Sequence, residues 1–184
     1  MSAAQLPPWP PAPPRWGSVL LRQVQEKDVP MAQEMSADAY IPQIGSLPPH
    51  ADHRQAREWV QRQQTRHEQG IGFSFTIADA GSDEPVGHCG LWLKEISAGR
   101  GSAGYAIRPS ARGRGLAAEA LLALTSFGWD IPLLHRIELY IEPWNTGSIR
   151  TAEQAGYARE GVLRSHQEIG GVRRDMLLFA AVRP

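Results

Sequence analysis

Cysteine is nearly absent from this chain. Cys89 stands alone, so no disulfide can close within it, and a reduced, cytoplasmic setting is expected. An excess of charge is missing too. Lys plus Arg and Asp plus Glu both number 19, for a net charge of zero, which argues against general nucleic-acid or membrane-surface binding. No run approaches the ~18 apolar residues of a membrane span. The opening MSAAQLPPWPPAPPRW lacks the apolar stretch of a secretory signal. What remains is the profile of one globular domain, since 184 residues suffice for one substantial core.

Proline is concentrated at one end. Six prolines fall within positions 7–14, around Trp9 and Ala12, a composition that favours an extended arm. Residues 1–16 therefore read as the arm and 17–184 as the domain. The arm is either a loose tail or a strap across the domain or a partner subunit, with Trp9 and Trp16 as anchors. The strap reading carries the expectation of a homodimer.

The first half alternates short elements. SVLLRQV reads as a strand, and Asp28 with Pro30 opens a helix to about Ala39. IPQIGSLPP reads as loop. Asp52 and Gln55 have the spacing of a capping box for a polar helix to about Gln69, closed by Gly70. FSFTIAD and VGHCGLWLKE then form an antiparallel pair, and SAGRGSA turns the chain into GYAI. In the second half Leu116, Ala120, Leu121, Leu124 and Phe127 recur at helical spacing from Gly115 to about Trp129. HRIELYIE is a strand, NTGSIRTAEQAG a short helix, and YAREGVLRSHQEI and RRDMLLFAAV a hairpin about Gly170–Gly171. The unit from Tyr105 to Glu142 is strand, helix, strand, which requires parallel pairing. A meander feeding such a unit gives a mixed sheet in an α+β (α/β layered) domain.

The stretch RPSARGRGLAAEALLAL (108–124) is the most informative. Gly113 and Gly115 permit close approach and positive φ, and the helix that follows adds its positive end. Such a turn holds an anion mainly by backbone, with Arg108, Arg112 and Arg114 adding charge, or else is a solvated corner with exposed arginines. A dinucleotide fingerprint is also met by Gly113, Gly115 and Ala118, but five residues separate it from the strand, and a doubly wound fold needs more than one parallel unit. A Walker loop is excluded because no Lys-Ser/Thr follows the glycine.

GYAIRPSARGRGLAAEAL resembles the coenzyme A signature of the GNAT superfamily of N-acetyltransferases, Gln/Arg-x-x-Gly-x-Gly/Ala, at Arg112, Gly115 and Ala117. HRIELYIEPWNTGSIRTAEQAGYAREGVLR is similar to the branch containing the Rim-type ribosomal-protein N-terminal acetyltransferases. That branch shows Asn-x-x-Ser (Asn145, Ser148), Gly-aromatic (Gly156, Tyr157) and Glu-Gly (Glu160, Gly161). The detailed likeness spans roughly residues 86–182. It implies a GNAT fold: a mixed sheet of about six to seven strands, helices on both faces, and a splayed pair of parallel strands. It also implies acetyl-CoA, or another acyl-CoA, as co-substrate, no metal, and transfer to a primary amine, a protein N-terminus or a small amine, in a ternary complex. The pantetheine arm would pair with Tyr105, Ala106 and Ile107. The pyrophosphate would lie on the amides of Gly113, Arg114, Gly115, Leu116, Ala117 and Ala118, and Asn145 would reach the cofactor. The alternative is a non-catalytic acyl-CoA-binding module.

The chemistry needs a neutral amine, a polarised carbonyl and a proton for the departing thiolate. An α-amine of pKa ~8 is about a tenth neutral at pH 7, whereas a lysine at ~10.4 is about 4.6 kcal/mol short of neutrality. An N-terminal acceptor thus asks little of a base. The amide of Ile107 is the candidate donor to the carbonyl. Many GNAT enzymes place a tyrosine seven residues after the Asn; here Ala152 stands there, and Ser148 is the substitute. Both Asn145 and Ser148 also suit plain helix capping. For the base, Glu138, Glu142, Glu160 and Glu168 lie on candidate strands. Some Rim-type enzymes have a glutamate where this chain has Gln167; its neighbour Glu168 could replace it only through a bulge. Glu168 and Glu138 are the candidates. His88 and Cys89 point to opposite faces of one strand, so Cys89 reads as core. His50, Asp52 and His53 have a metal-like spacing, but Asp52 is already a cap. Trp92 reads as core, and Trp144 as lining the acceptor pocket.

Overall fold

A computed structural model of the protein describes residues 6–184, so the first five residues of the arm lie outside the described range. The chain enters the sheet at β1 (Arg15–Trp16) and β2 (Val19–Gln23), then forms α1 (Val29–Ser36), α2 (Ile41–Ile44) and α3 (His53–Thr65). A meander follows, of β3 (Gly72–Asp79), β4 (Pro85–Trp92) and β5 (Arg100–Ile107). The crossover helix α4 (Leu116–Trp129) leads to β6 (Arg136–Ile141), and α5 (Thr146–Gln154) to the hairpin of β7 (Ala158–Ile169) and β8 (Val172–Val182). These strands make one sheet in the order β1-β2-β3-β4-β5-β6-β8-β7. Every neighbouring pair is antiparallel except β5 with β6. The sheet has eight strands, against an expected six to seven, because the two-residue β1 extends its edge and begins inside the segment assigned to the arm.

Strand alternation divides the core in two. On one face α4 and α5 cover Phe73, Phe75, Cys89, Leu91 and Phe179. On the other, α1, α2 and α3 enclose Val29, Met35, Ile41, Trp59 and Val60. The arm adds to the first core. Trp9 meets Phe73 and Phe75 edge-on at 5.3 and 5.1 Å, and Pro7 O lies 2.8 Å from His67 Nε2. Trp16, the other expected anchor, is exposed.

Boundaries shift where local signals compete with packing. The Asp52–Gln55 capping box forms, with Gln55 N donating to Asp52 at 2.7 Å, but α3 stops at Thr65, before the turn that ends at Gly70. The stretch expected as loop contains α2, a single helical turn begun with Pro42 in its first turn. Asp28 sits at the start of α1, yet its side chain makes no cap. The carboxylate turns inward, where Arg22 grips it in bidentate fashion at 2.8 and 2.9 Å. Thr76 donates to it at 2.6 Å. Burial selects the ionic partner over the cap because an unpaired charge there is far more unfavourable.

Candidate active site

The parallel pairing of β5 with β6 is short. Arg100–Ser102 match Arg136–Glu138, and no registered pair continues beyond them. From there β5 stays with β4 as far as Ile107, while β6 stays with β8 as far as Ile141. The strands part, and the edge of β5 facing the gap loses its ladder partner. A cavity of about 290 Å³ fills the gap, lined by Trp92, Gly104, Tyr140, Asn145, Ser148 and Gln167 among others. It adjoins a larger groove of about 760 Å³ between the end of β5, the 108–118 turn and α5. Every residue expected to hold the cofactor lines this groove: Tyr105, Ala106, Ile107, Arg112 to Ala118, and Asn145.

The turn is built to leave amides free. Gly113 and Gly115 have φ of 77° and 76°, in the left-handed region that glycine enters without strain. Gly115 caps α4 without a side-chain acceptor. After Arg112, whose amide donates to Pro109 O at 3.3 Å, the next amide to find a backbone acceptor is Ala118, which donates to Gly115 O at 3.1 Å. Among the described residues, the amides of Gly113 through Ala117 have no such partner. They lie at the positive end of a 14-residue helix, where an anion is favoured. Ala118 lines the groove, but its amide is used within the helix, which corrects its expected role as a phosphate donor.

Two of the three arginines are already engaged. Arg112 Nε donates to Ile107 O at 3.1 Å and Nη1 pairs with Asp38 at 2.8 Å. It fastens the turn to the end of β5 rather than offering its charge freely. Asp38 is partly buried, but the amides of Ile41 and Tyr40 and the Arg112 guanidinium outweigh that and hold its carboxyl below the usual range. Arg108 pairs with Glu84 and Glu34. Arg114 and Arg150 also line the groove, with no ion pair among the described residues. Arg150 was not picked from the sequence. The helical spacing of Gly147, Thr151 and Gln154 on the groove side of α5 is the signal that points to that face.

Asn145 and Ser148 stand where the two cavities meet. Asn145 Oδ1 accepts from Ser148 N at 3.1 Å, so the cap forms. Tyr105 OH donates to Ser148 O at 3.2 Å and ties the start of α5 to β5. Ala152, at the position where the resemblance implies a tyrosine, is fully buried.

The two candidate bases part company. The register of β7 on β8 breaks between Leu163 and Gln167, which face Met176 and Arg174. This bulge adds two residues on β7, with Ser165 at φ 48°. An even insertion preserves the alternation, so Gln167 lines the cavity and Glu168 is exposed. The structure does not bring Glu168 to the site. Glu138 reaches it through Tyr140, a cavity residue whose hydroxyl donates to Glu138 at 2.6 Å. Burial disfavours the Glu138 charge, but Tyr140 and Arg136 outweigh it and lower its pKa. Burial and the same carboxylate push the Tyr140 phenol up to about 12.

Several residues were misjudged or missed. Trp92 is not core: it lines the gap cavity and lies under Arg66 at 5.6 Å. Trp144 lines the larger groove, exposed, edge-on to Tyr40 at 4.9 Å. Tyr40 and Ile44 border both cavities. Ile44 comes from the stretch taken as loop and Tyr40 immediately precedes it, and no periodicity marked them. Cys89 is buried in the core, and burial pushes its thiol pKa up. Among the described residues, no cluster of three His, Cys, Asp or Glu side chains is arranged to hold a metal ion. Among the same residues, no helix is long and apolar enough to cross a membrane.

The profile of the acetyltransferase (GNAT) domain matches residues 18–158. The chain is 28% identical over 163 residues to the uncharacterized N-acetyltransferase p20 of Bacillus licheniformis, covering 89% of this chain and 92% of that protein. It is 30% identical over 131 residues to the probable N-acetyltransferase YjcK of Bacillus subtilis, covering 70% and 71%. Among solved structures, RimJ of Mycobacterium smegmatis in complex with CoA-disulfide superimposes with a TM-score of 0.79 at 27% identity, covering 95% of this chain and 88% of that one.

Proposed function

The chain belongs to the GNAT acetyltransferase family, and from that membership we propose how its own residues move an acetyl group from acetyl-CoA to a primary amine. The observation that carries the reading is the divergence of β5 from β6 after Ser102–Glu138. It opens one cavity to the thioester end of the groove, whose other end carries the five free amides of the glycine turn.

Acetyl-CoA supplies the activated acyl carbon. The free edge of β5 at Tyr105–Ile107 aligns the pantetheine, and the amides of Gly113 to Ala117 receive the pyrophosphate, with Arg114 and Arg150 adding positive charge. Arg108 N donates to Val86 O at 2.9 Å across β4, so alternation turns the Ile107 amide away from β4 and toward the groove, where it polarises the carbonyl. The amine enters the gap and attacks the carbonyl carbon. The N–C bond forms, the C–S bond breaks, the amine loses one proton and the thiolate gains one. Ser148 donates a hydrogen bond as charge builds on sulfur. The amine proton leaves through the Tyr140 hydroxyl toward Glu138, and the thiolate takes up its proton from solvent water in the groove.

Because the Glu138 pKa is lowered, this carboxylate is a weak base. The site therefore suits an acceptor of modest basicity, such as the α-amine of a polypeptide or an amino-acid-like compound, over a lysine side chain at ~10.4. A covalent acyl-cysteine route is disfavoured, since the single cysteine is buried in the core. A panel of acyl-CoA donors against α-amines, polyamines and lysine peptides, read by mass spectrometry, tests the proposal. Acylated α-amine with stoichiometric free CoA is expected. Tight CoA binding with no acylated product from any amine would favour a non-catalytic acyl-CoA-binding module instead.

A further inference from the structure

Ile44 and Tyr105 border not two cavities but three. The third, of about 350 Å³, lies on the α1–α3 side of the sheet and takes no part in the chemistry described above. Gly104 on β5 lines its floor, and directly opposite it on β4 stands Gly90. A Cβ on Gly90 would fall 1.4 Å from the Trp92 ring, while one on Gly104 would meet nothing within 4 Å. Gly90 lets the indole lie along the sheet, and Gly104 keeps the floor open. Met35, Leu47, Trp59 and Trp92 supply apolar walls.

Arg66 lines this same cavity, and among the described residues no carboxylate pairs with it. Three guanidinium Nε atoms are buried without a partner, on Arg66, Arg108 and Arg183. Arg108 has Glu84 and Glu34. Arg183 donates to the carbonyls of Trp129 and Ile131 at 2.7 and 2.6 Å. Arg66 has only a 3.4 Å contact from Nη2 to Ser46 Oγ and its position over Trp92. Burial and the charge of another cation, Arg62, together lower its pKa. Asp28, the carboxylate felt by His88 in the same cavity, is taken by Arg22, Thr76 and the amide of Gln25. The five residues outside the described range, Met-Ser-Ala-Ala-Gln, contain no carboxylate.

A partly buried guanidinium without a counter-charge is unfavourable unless a ligand supplies one. We propose that this cavity is the distal part of the acceptor site, and that the acceptor is a primary amine whose apolar or aromatic body carries a carboxylate that pairs with Arg66. Its planar fork matches a carboxylate in bidentate geometry, while the tryptophans take the apolar body. The inference rests on the reading that the amine enters the gap between β5 and β6, which meets this cavity at Ile44, Trp92, Gly104 and Tyr105.

The test measures binding separately from turnover. The full-length protein saturated with CoA is titrated calorimetrically with benzylamine, its para-carboxylate and its para-carboxamide. A tripeptide beginning with glutamate and its glutamine counterpart form a second arm, which distinguishes a polypeptide source of the carboxylate from a small molecule. A hydrogen-bonded charge pair corresponds to about tenfold or more in affinity. The carboxylate member of at least one pair is therefore expected to bind about tenfold tighter than its amide. Arg66→Gln should collapse that ratio to near one, with the fold checked by circular dichroism. Arg66→Lys, which keeps the charge and loses the fork, should give an intermediate ratio and serves if the glutamine variant fails to fold. Equal binding of carboxylate and amide in both arms overturns the proposal. Carboxylate-selective binding without acetylated product would fault the transfer reading while leaving this subsite standing.

Discussion

The Tyr140 hydroxyl donates a 2.6 Å hydrogen bond to Glu138, and only the tyrosine of this pair touches the cavity. A proton leaving the amine would have to cross the phenol to reach the carboxylate. Glu138→Gln and Tyr140→Phe should therefore lower kcat by similar factors, at or below the lower end of the ~10²–10⁴-fold range for general acid–base groups. The double variant should lose no more than either single one. The carboxylate is held below its usual range, so it stays ionised through neutral pH and adds no acid limb to the profile. The rise of kcat/KM with pH should follow the amine's own ionisation in wild type and variants alike. Full kcat in Glu138→Gln, with chemistry rate-limiting, would leave proton removal to water.

Ser148 and Asn145 offer a contrast within one helix start. Asn145 accepts from the Ser148 amide at 3.1 Å, so Asn145→Ala should lose about 1 kcal/mol of stability with the cap and also weaken CoA binding. Ser148→Ala leaves that backbone bond intact. It should lower kcat while the acetyl-CoA dissociation constant barely moves. Unchanged kcat in single-turnover measurements would reduce Ser148 to a helix residue.

Gly115 tests the phosphate turn. A side chain there meets nothing within 4 Å, but the backbone φ is 76°, which a β-branched residue adopts only under strain. Gly115→Val should rotate the amides of the first turn away from the groove. CoA affinity is expected to fall about tenfold or more, equivalent to about 1.4 kcal/mol, with the far-ultraviolet spectrum retained. An unchanged CoA titration would move the phosphates elsewhere.

Local signals in the sequence carried the scaffold and the cofactor groove. Glycines before an apolar helix, a capping box and alternating strands are all set within a few residues, and the Arg112–Ala118 turn formed where they pointed. The acceptor side was less legible because it is assembled from distant pieces. Tyr40 and Ile44 bracket a single helical turn too short to show a period. Gln167 is placed by a two-residue bulge that no propensity announces. Arg112 has the residue type of an anion ligand, but its use depends on Asp38, some seventy residues earlier in the chain. Trp92 reads as core until Gly90 and Gly104 are seen opposite each other, leaving space that an apolar count cannot reveal.

His88 gives a pH dependence with a definite sign. Its ring packs against Trp59 at 5.0 Å, and burial, with Arg66 nearby, lowers its pKa from 6.5 to about 3. Below pH 6.5 the unfolded chain takes up a proton here that the folded protein refuses. Stability from this group is thus complete above that pH and declines as pH falls toward 3. At pH 5 the loss spans about 1.5 units at ~1.36 kcal/mol each, or about 2 kcal/mol. His88→Gln can still hydrogen-bond Ser74, the partner of the ring at 3.3 Å, but it has no proton to take up. The variant may be placed on the same denaturant scale as wild type, and its absolute stability should be lower for want of the ring contact. Its unfolding free energy should nevertheless fall by about 2 kcal/mol less than wild type between pH 7 and pH 5. The difference between the two slopes isolates this histidine, because every other titrating group is common to both proteins. Parallel slopes in urea titrations at the two pH values would mean that His88 titrates normally in the folded protein, with solvent from the cavity reaching its ring.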